Sequence, residues 1–149
     1  MLLRWILAAL HLVALGVGAG AVANRSRVLA APLDAAGLKR VFHADNAWGV
    51  AGVLWIGTGL WRLLAQTEKS TAYYLGNHVF WTKMGILALL IALEMWPMMT
   101  LVRWRMQVQR GEAVDTSRAP LLARISRIQL ALVVAMVFAA TAMARGMGS

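Results

Sequence analysis

The chain has 149 residues, of which 60% are hydrophobic and 14% are charged, and its formal net charge is +9. Soluble domains usually contain about 25% charged and 45–50% apolar residues, so this composition excludes an ordinary soluble domain, a disordered chain and a coiled coil. The absence of cysteine excludes disulfide-stabilised secreted domains, iron–sulfur clusters, thiolate zinc sites and cysteine nucleophiles. We therefore expect an integral membrane protein.

The apolar residues are concentrated in four segments, each long enough to cross a membrane. A helix rises about 1.5 Å per residue, so roughly 20 apolar residues span a hydrocarbon core of about 30 Å. The predicted helices cover residues 2–23, 47–64, 79–101 and 121–143. The polar connectors between them are too short for a second domain. The sequence thus predicts an all-α fold in which residues 1–149 form a single four-helix membrane bundle.

The first segment also has features of a secretory signal peptide. Arg4 precedes the apolar run, and Ala21-Val22-Ala23 has the small-residue pattern of a cleavage site. The apolar run is longer than a typical signal-peptide core. This length favours a helix that remains in the protein as the first helix of the bundle.

Basic residues are distributed unevenly between the two ends of the predicted bundle. The connectors 24–46 and 102–120, with the start of the fourth helix, carry most of the Lys and Arg residues. Because Lys and Arg accumulate on the cytoplasmic side, we expect a multi-pass protein of the bacterial inner membrane with both termini in the periplasm. This bias accounts for most of the net charge, so membrane lipid is an expected partner and nucleic acid is not.

Glycines recur at helical spacing in the first two predicted helices. Gly16, Gly18 and Gly20 lie in the first helix, and Gly49, Gly52 and Gly59 lie in the second. Glycine in a membrane helix lets a neighbouring backbone or a flat ligand approach closely. The pattern predicts helix packing or, alternatively, a slot for a planar cofactor that Gly18 and Gly52 would contact.

Two polar segments flank the predicted helices. Asp45 or Asn46 is expected to be the N-cap of the second helix, since both side chains can accept from free backbone N–H groups. Tyr73, Tyr74, Asn77 and His78 precede the third helix. They are expected either to cover a pocket at that end of the bundle or to anchor the chain at the membrane interface.

Three ionisable residues lie well inside the predicted helices: His11, Lys83 and Glu94. Such residues are costly in lipid and are often functional. His11 is expected about 13 Å and Lys83 about 6 Å from the end with both termini, with Glu94 about 16 Å beyond Lys83 on nearly the same helix face. The structural alternatives are a snorkelling Lys83, a neutral His11 bonded to a backbone carbonyl, and a protonated Glu94 bonded to a neighbouring helix, for example to Gln129 or Ser126.

A haem site fits these residues better than a clustered metal site. His43 and His78 are predicted at opposite ends of the bundle, whereas haem needs only one or two axial ligands, an apolar slot and cations for its propionates. We expect His11 to ligate haem b, and the nine methionines leave copper as the alternative cofactor. The candidate for the sixth ligand is Met136, with His78 and Met84 as alternatives. The candidate cations beside the propionates are Arg4, Arg62 and Lys83.

Short motifs resemble those of known membrane proteins. The first helix contains Ala9-Leu10-His11, and the third begins Phe80-Trp81-Thr82-Lys83. With its helix order and loop lengths, the chain resembles the HemJ-type protoporphyrinogen oxidases and the membrane domain of CopD-type copper-resistance proteins. It is also similar to uncharacterised bacterial inner-membrane proteins of this size that share WIGTGLWR, residues 55–62, and TAYYLGNH, residues 71–78.

The HemJ resemblance implies that His11 is the haem-ligating histidine and Lys83 the essential lysine. HemJ-type chains have a Tyr-His pair near the end of the third helix, where this chain has Glu94, and a histidine just past the first helix, where it has Asn24 and Arg25. In the haem interpretation, Lys83 holds a propionate or an anionic substrate, and Glu94 handles protons.

Two classes of function follow. In the first, the chain is a b-type haem protein with a redox or electron-transfer role, and its substrate is a porphyrinogen, oxidised as in HemJ, or a quinol. In the alternative, it is a non-enzymatic membrane protein. It would then be an accessory subunit of a larger membrane complex or a CopD-like copper-handling protein. Its expected protein partners are further copies of the chain, in a homo-oligomer, or the other subunits of such a complex. Whether the chain is an enzyme stays open between these two classes.

Overall fold

The computed structural model describes residues 1–148, and the apolar segments of the chain are helical throughout. The helices are α1 (Leu2–Ala30), α2 (Ala35–Leu64), α3 (Thr71–Leu75), α4 (His78–Gln109) and α5 (Ala119–Ala144). All but the short α3 are long and apolar enough to cross a membrane. The prediction of an all-helical fold with four membrane-length helices is confirmed.

The long helices extend well beyond the apolar segments that predicted them. The connector expected over 24–46 shrinks to residues 31–34, because α1 continues to Ala30 and α2 begins at Ala35. Pro32 ends α1, since proline disfavours a helical conformation in the residue before it, and Ala31 is extended (ψ 164°). Hydropathy detects only the part of a helix that lies in lipid, so the polar turns at the helix ends were missed.

The expected N-cap of the second helix was wrong. With α2 beginning at Ala35, Asp45 and Asn46 lie in the middle of the helix. The N-cap is Asp34, whose carboxylate accepts a 2.7 Å hydrogen bond from the Gly37 N–H. The side chains of Asp45 and Asn46 are free to bond to other helices.

The long helices pack in the order α2, α1, α5, α4 around the bundle. Its "terminal end" contains the start of α1, the end of α2, α3, the start of α4 and the end of α5, as the contacts His11–Thr58 and Tyr73–Met143 require. Its "connector end" contains residues 31–34 and 110–118. The two chain ends therefore share one end of the bundle.

Two apolar clusters form the core. Leu29, Val41, Leu101, Trp104 and Leu122 belong to the cluster at the connector end. Leu90, Val133 and Met136 form the second cluster, in the middle of the bundle, together with Trp48 and Trp55. Polar residues of α1, α4 and α5 separate the two clusters, and they include the buried Arg25 described below.

The glycine pattern has one clear packing role. A Cβ placed on Gly18 would lie 3.4 Å from the Ala51 Cβ and 3.7 Å from the Trp48 ring, so α1 and α2 meet there. The same test finds nothing within 4 Å of Gly16, Gly20 or Gly52. Gly18 therefore lies at the contact between α1 and α2, where a Cβ would make an ordinary van der Waals contact but a larger side chain would overpack Ala51 and Trp48.

Replacing Gly18 by leucine is expected to lower the free energy of unfolding by about 1–3 kcal/mol, because the added side chain overpacks the contact with Ala51 and Trp48. Gly20→Leu is the matched control, since its side chain would extend into open space. Unfolding of the detergent-solubilised protein, followed by circular dichroism, measures both variants. Equal stabilities of the two variants would contradict this packing role.

Candidate functional site

A cavity of about 500 Å³ lies among the long helices at the terminal end. This volume is within the range of small-molecule sites, about 300–1,000 Å³. Its walls come from α1, α2, α4 and α5 and are mainly apolar, and α3 contributes Tyr73 and Tyr74. Its charged lining residues are Arg62, Glu68, Lys69 and Lys83. The "terminal cavity" therefore suits a molecule with an apolar body and a charged or polar edge.

His11 lines the terminal cavity with a defined tautomer. Its Nδ1 lies 2.9 Å from Thr58 Oγ1, and that oxygen lies 2.7 Å from the Leu54 carbonyl oxygen. The Thr58 hydroxyl has one proton, which it donates to the backbone carbonyl, so its oxygen accepts from His11. We assign the Nδ1–H tautomer on this basis. Nε2 keeps its lone pair and has no hydrogen-bond partner within residues 1–148.

Two further residues of α2 hold the His11 ring. The Trp55 ring stacks on it with a centroid distance of 5.8 Å and an interplanar angle of 29°. A Cβ on Gly59 would lie 3.1 Å from His11 Cε1, so the absence of a side chain there makes room for the imidazole. In the described part of the chain, Trp55 Nε1 is the one buried side-chain nitrogen or oxygen without a hydrogen-bond partner.

Lys83 differs from the other cations of the terminal cavity. Arg62 forms an ion pair with Glu68, and the Lys69 ammonium lies 4.0 Å from the centroid of the Tyr73 ring. Lys83 has neither a hydrogen bond nor an ion pair with any residue in the range 1–148. It is a cation at the cavity whose counter-ion the described chain does not supply.

The short helix α3 and the C-terminal segment cover the terminal end. Tyr73 Oη donates to the Met143 carbonyl at 3.4 Å, and Asn77 Nδ2 donates to the Met147 carbonyl at 3.2 Å. Asn77 also caps α4 by accepting from the Val79 and Phe80 N–H groups. Burial raises the pKa of the Tyr74 hydroxyl, so this group stays protonated at the cavity. Tyr73 and Tyr74 line the cavity, whereas Asn77 is a helix cap.

The predicted site residues fall into two groups. Those that line the terminal cavity are His11, Arg62, Lys83 and Met136, together with Met84, the alternative sixth ligand. Those that do not line it are Arg4, Gly18, Gly52, Glu94 and His78. Sequence reasoning did not single out Trp55, Thr58 and Gly59 as residues around His11, although the segment 55–62 was one of those that carried the family resemblance.

Glu94 belongs to a buried polar cluster nearer the connector end. The "Arg25 cluster" consists of Arg25, Asp45, Glu94, Ser126 and Gln129, and therefore joins all four long helices. Arg25 is 0% exposed and donates to both Glu94 oxygens at 2.9 Å, to Asp45 at 2.8 Å, to Gln129 at 2.7 Å and to Ser126 at 3.1 Å. All five guanidinium N–H groups are thus used.

The carboxylates of the Arg25 cluster are equally well bonded. Glu94 also accepts hydrogen bonds from Trp48 at 3.0 Å and Gln129 at 2.7 Å, and Asp45 accepts one from Arg105 at 2.8 Å. The sequence placed Arg25 in a connector, and this was wrong because α1 continues to Ala30. Glu94 is held by its partners rather than presented to the terminal cavity.

The chain matches one family model over nearly its whole length. Residues 3–148 match DUF2214, which is described as a predicted membrane protein. The chain belongs to the DUF2214 family. No curated protein and no solved structure matches this DUF2214 protein significantly. The family description and the four membrane-length helices agree that it is a membrane protein.

A bare metal ion would find few ligands in this DUF2214 protein. No three His, Cys, Asp or Glu side chains within residues 1–148 are grouped so that they could hold a metal ion. The terminal cavity offers one imidazole, that of His11, and the thioethers of Met84, Met136 and Met143. This donor set suits a cofactor that brings most of its own ligands, or a soft ion such as Cu(I).

Proposed function

We propose that this DUF2214 protein binds haem b in the terminal cavity, where His11 Nε2 would hold the iron, and that the haem has a redox or electron-transfer role. The observation that carries the proposal is the 2.9 Å contact between His11 Nδ1 and Thr58 Oγ1, in which the tautomer assigned above makes the imidazole the donor. Metal-ligating histidines almost always donate their other ring N–H to a fixed acceptor, which sets the tautomer and the ring orientation. His11 has this arrangement at the wall of a cavity.

The other residues of the terminal cavity also fit haem. The walls are mainly apolar, as a porphyrin requires, and the thioethers of Met84 and Met136 at the cavity would offer further ligands for the iron. Lys83 and Arg62 would bind the propionates, and Lys83 has no other anionic partner in residues 1–148. Bound haem would supply a one-electron redox centre at this end of the bundle.

The contacts support different roles for Lys83 and Glu94 if the chemistry is HemJ-like. Lys83 is the residue proposed to hold an anionic group, either a propionate or a porphyrinogen carboxylate. Glu94 accepts four hydrogen bonds within the Arg25 cluster, and Leu90 and Val133 lie between that cluster and the cavity. We therefore assign Glu94 to the stability of the bundle and not to proton transfer at the haem.

The orientation belongs to the same proposal. The connector end carries Lys39, Arg40, Arg103, Arg110 and Arg118, among others, and the terminal end carries fewer cations. Under the positive-inside rule, the connector end faces the cytoplasm of a bacterial inner membrane, and both chain termini face the periplasm. The proposed haem then lies in the periplasmic half of the bilayer.

Absorption spectra test the proposal directly. The protein is expressed with ample haem, purified in mild detergent and measured oxidised and dithionite-reduced, beside His11→Ala and His78→Ala. We expect a Soret band and reduced b-type bands that are lost in His11→Ala. His78→Ala should keep them, because His78 is at the same end of the bundle but does not line the cavity.

Two results would contradict the haem proposal. One is a featureless spectrum of the unaltered protein, and the other is a Soret band of equal intensity in His11→Ala. Copper analysis of the same samples tests the second candidate, which the thioethers of Met84, Met136 and Met143 around His11 favour. Copper bound in proportion to the protein and lost in His11→Ala would favour the copper-handling function.

A further inference from the structure

The terminal cavity is not closed by protein on its membrane side. Leu12, Leu60 and Val137 all line the cavity, yet their side chains are 65%, 52% and 39% exposed, respectively. They lie on α1, α2 and α5 within the membrane-length helices. These three residues therefore belong to the cavity wall and are also accessible from outside the bundle, on helix surfaces that lipid would contact.

The gap between α2 and α4 is an opening of the terminal cavity towards the membrane. Both α2 and α4 line the cavity, but each packs mainly on a different neighbour, α2 on α1 and α4 on α5, and the two do not form an extended backbone contact with each other. Near the connector end this gap is bridged by hydrogen bonds from Arg105 to Asp45 and Asn46, and from Trp48 to Glu94. Beyond Trp48, towards the terminal end, no hydrogen bond or ion pair joins α2 to α4 within residues 1–148.

At the terminal end, where the cavity would meet water, α3 and the C-terminal segment cover the cavity. Tyr73 and Tyr74 of α3 line the cavity at this end, and Tyr73 is bonded to the Met143 carbonyl. The C-terminal segment is held to the start of α4 by the hydrogen bond from His78 N–H to the Gly148 carbonyl, 3.0 Å. A ligand arriving from water would meet these residues first, whereas one dissolved in the membrane would meet apolar side chains.

The charges of the terminal cavity specify one part of such a ligand. Its lining contains three cations, Arg62, Lys69 and Lys83, and one carboxylate, that of Glu68. Glu68 is paired with Arg62, which leaves Lys83 without a counter-ion in the described chain. An unpaired ammonium beside apolar walls is stabilised by an anionic group that is itself attached to an apolar body.

We infer that the terminal cavity takes its ligand from the membrane, and that this ligand is an amphiphile whose anionic group binds Lys83 while its apolar body lies against Leu12, Leu60 and Val137. The inference deepens the proposed function, on which it rests for the role of the cavity as a ligand site. Haem has this chemistry, and so does any membrane-dissolved substrate that carries a carboxylate. Specificity for charge comes from Lys83, and access comes from the exposed helix faces.

The absence of cysteine allows a site-specific test. A single cysteine at Leu12 carries an environment-sensitive fluorophore, and the haem-free protein is reconstituted in neutral phosphatidylcholine nanodiscs. Three probe molecules are compared. Oleate has both an apolar chain and an anionic group, oleyl alcohol has only the apolar chain, and butyrate has the anionic group with almost no apolar chain. Phe138→Cys is the matched control, because Phe138 is 72% exposed on α5 and does not line the cavity.

We expect oleate to cause a saturable change at position 12 and only gradual, non-saturating partitioning at position 138. Oleyl alcohol, butyrate and the Lys83→Met variant should each weaken the saturable response about tenfold or more, which is the size of a lost charge-assisted contact. Lys83→Arg should retain it, and circular dichroism of both Lys83 variants establishes that they are folded.

Several outcomes would overturn the inference. One is equal binding of oleate and oleyl alcohol, and another is a folded Lys83→Met variant that binds oleate normally. A third is binding of butyrate as tight as that of oleate, because this result indicates an anion site reached from water. The spectra described above separate this inference from the haem proposal. Saturable oleate binding without any Soret band removes only the haem, whereas haem binding without oleate discrimination removes only the membrane-derived ligand.

Discussion

Replacing Arg25 by methionine is expected to lower the free energy of unfolding by about 3–5 kcal/mol, because the change leaves two partly buried carboxylates without their fully buried main partner. Arg25 donates to Asp45 and to both oxygens of Glu94, and methionine offers no donor to either. Unfolding of the detergent-solubilised protein, followed by circular dichroism, measures the loss. This cluster joins all four long helices, so the variant should also unfold less cooperatively.

Two companion variants make the Arg25 test specific. Arg124→Met removes an arginine of α5 that is exposed to the surroundings, and it should change the stability by about 0.5 kcal/mol or less. The double variant Arg25→Met/Glu94→Met should be more stable than Arg25→Met, since the orphaned carboxylate is gone and Asp45 keeps Arg105. A fully stable Arg25→Met would show that the cluster does not hold the bundle together.

Replacing Thr58 by valine is expected to weaken haem binding by about 10–100-fold while leaving the helices intact. Valine matches threonine in shape but removes the oxygen that accepts from His11 Nδ1. Loss of such an outer partner typically costs about this factor in metal affinity, because the histidine tautomer and ring orientation are no longer fixed. Titration of the haem-free protein with haem, followed at the Soret band, measures the affinity.

Thr58→Ser separates the hydroxyl from the rest of the side chain. Serine keeps the acceptor for His11 and the donor to the Leu54 carbonyl, so its haem affinity should stay close to that of the unaltered protein. If Thr58→Val binds haem as tightly as Thr58→Ser, the stacking on Trp55 and the space at Gly59 would be sufficient to orient His11.

The candidate site could be predicted only in part from the sequence. His11 and Lys83 were found because an ionisable residue inside an apolar segment is conspicuous by position alone. Thr58, Trp55 and Gly59 were missed because each is an ordinary residue of a membrane helix until the neighbouring helix is in place. Glu94 was found for the same reason as His11, but its partners, and therefore its role, depend on residues from other helices.

By itself, the sequence determined that this is a membrane protein with four membrane-length helices, because the length and apolarity of a segment are local properties that lipid requires of any spanning helix. It did not determine where those helices end, since hydropathy registers only apolar turns, whereas α1 continues through Arg25, whose partners come from other helices. Only the tertiary structure decided that Arg25 meets Glu94, 69 positions away in the sequence, and that His11 meets Thr58, 47 positions away. Such pairs depend on the rotation and depth of packed helices, which no single segment encodes.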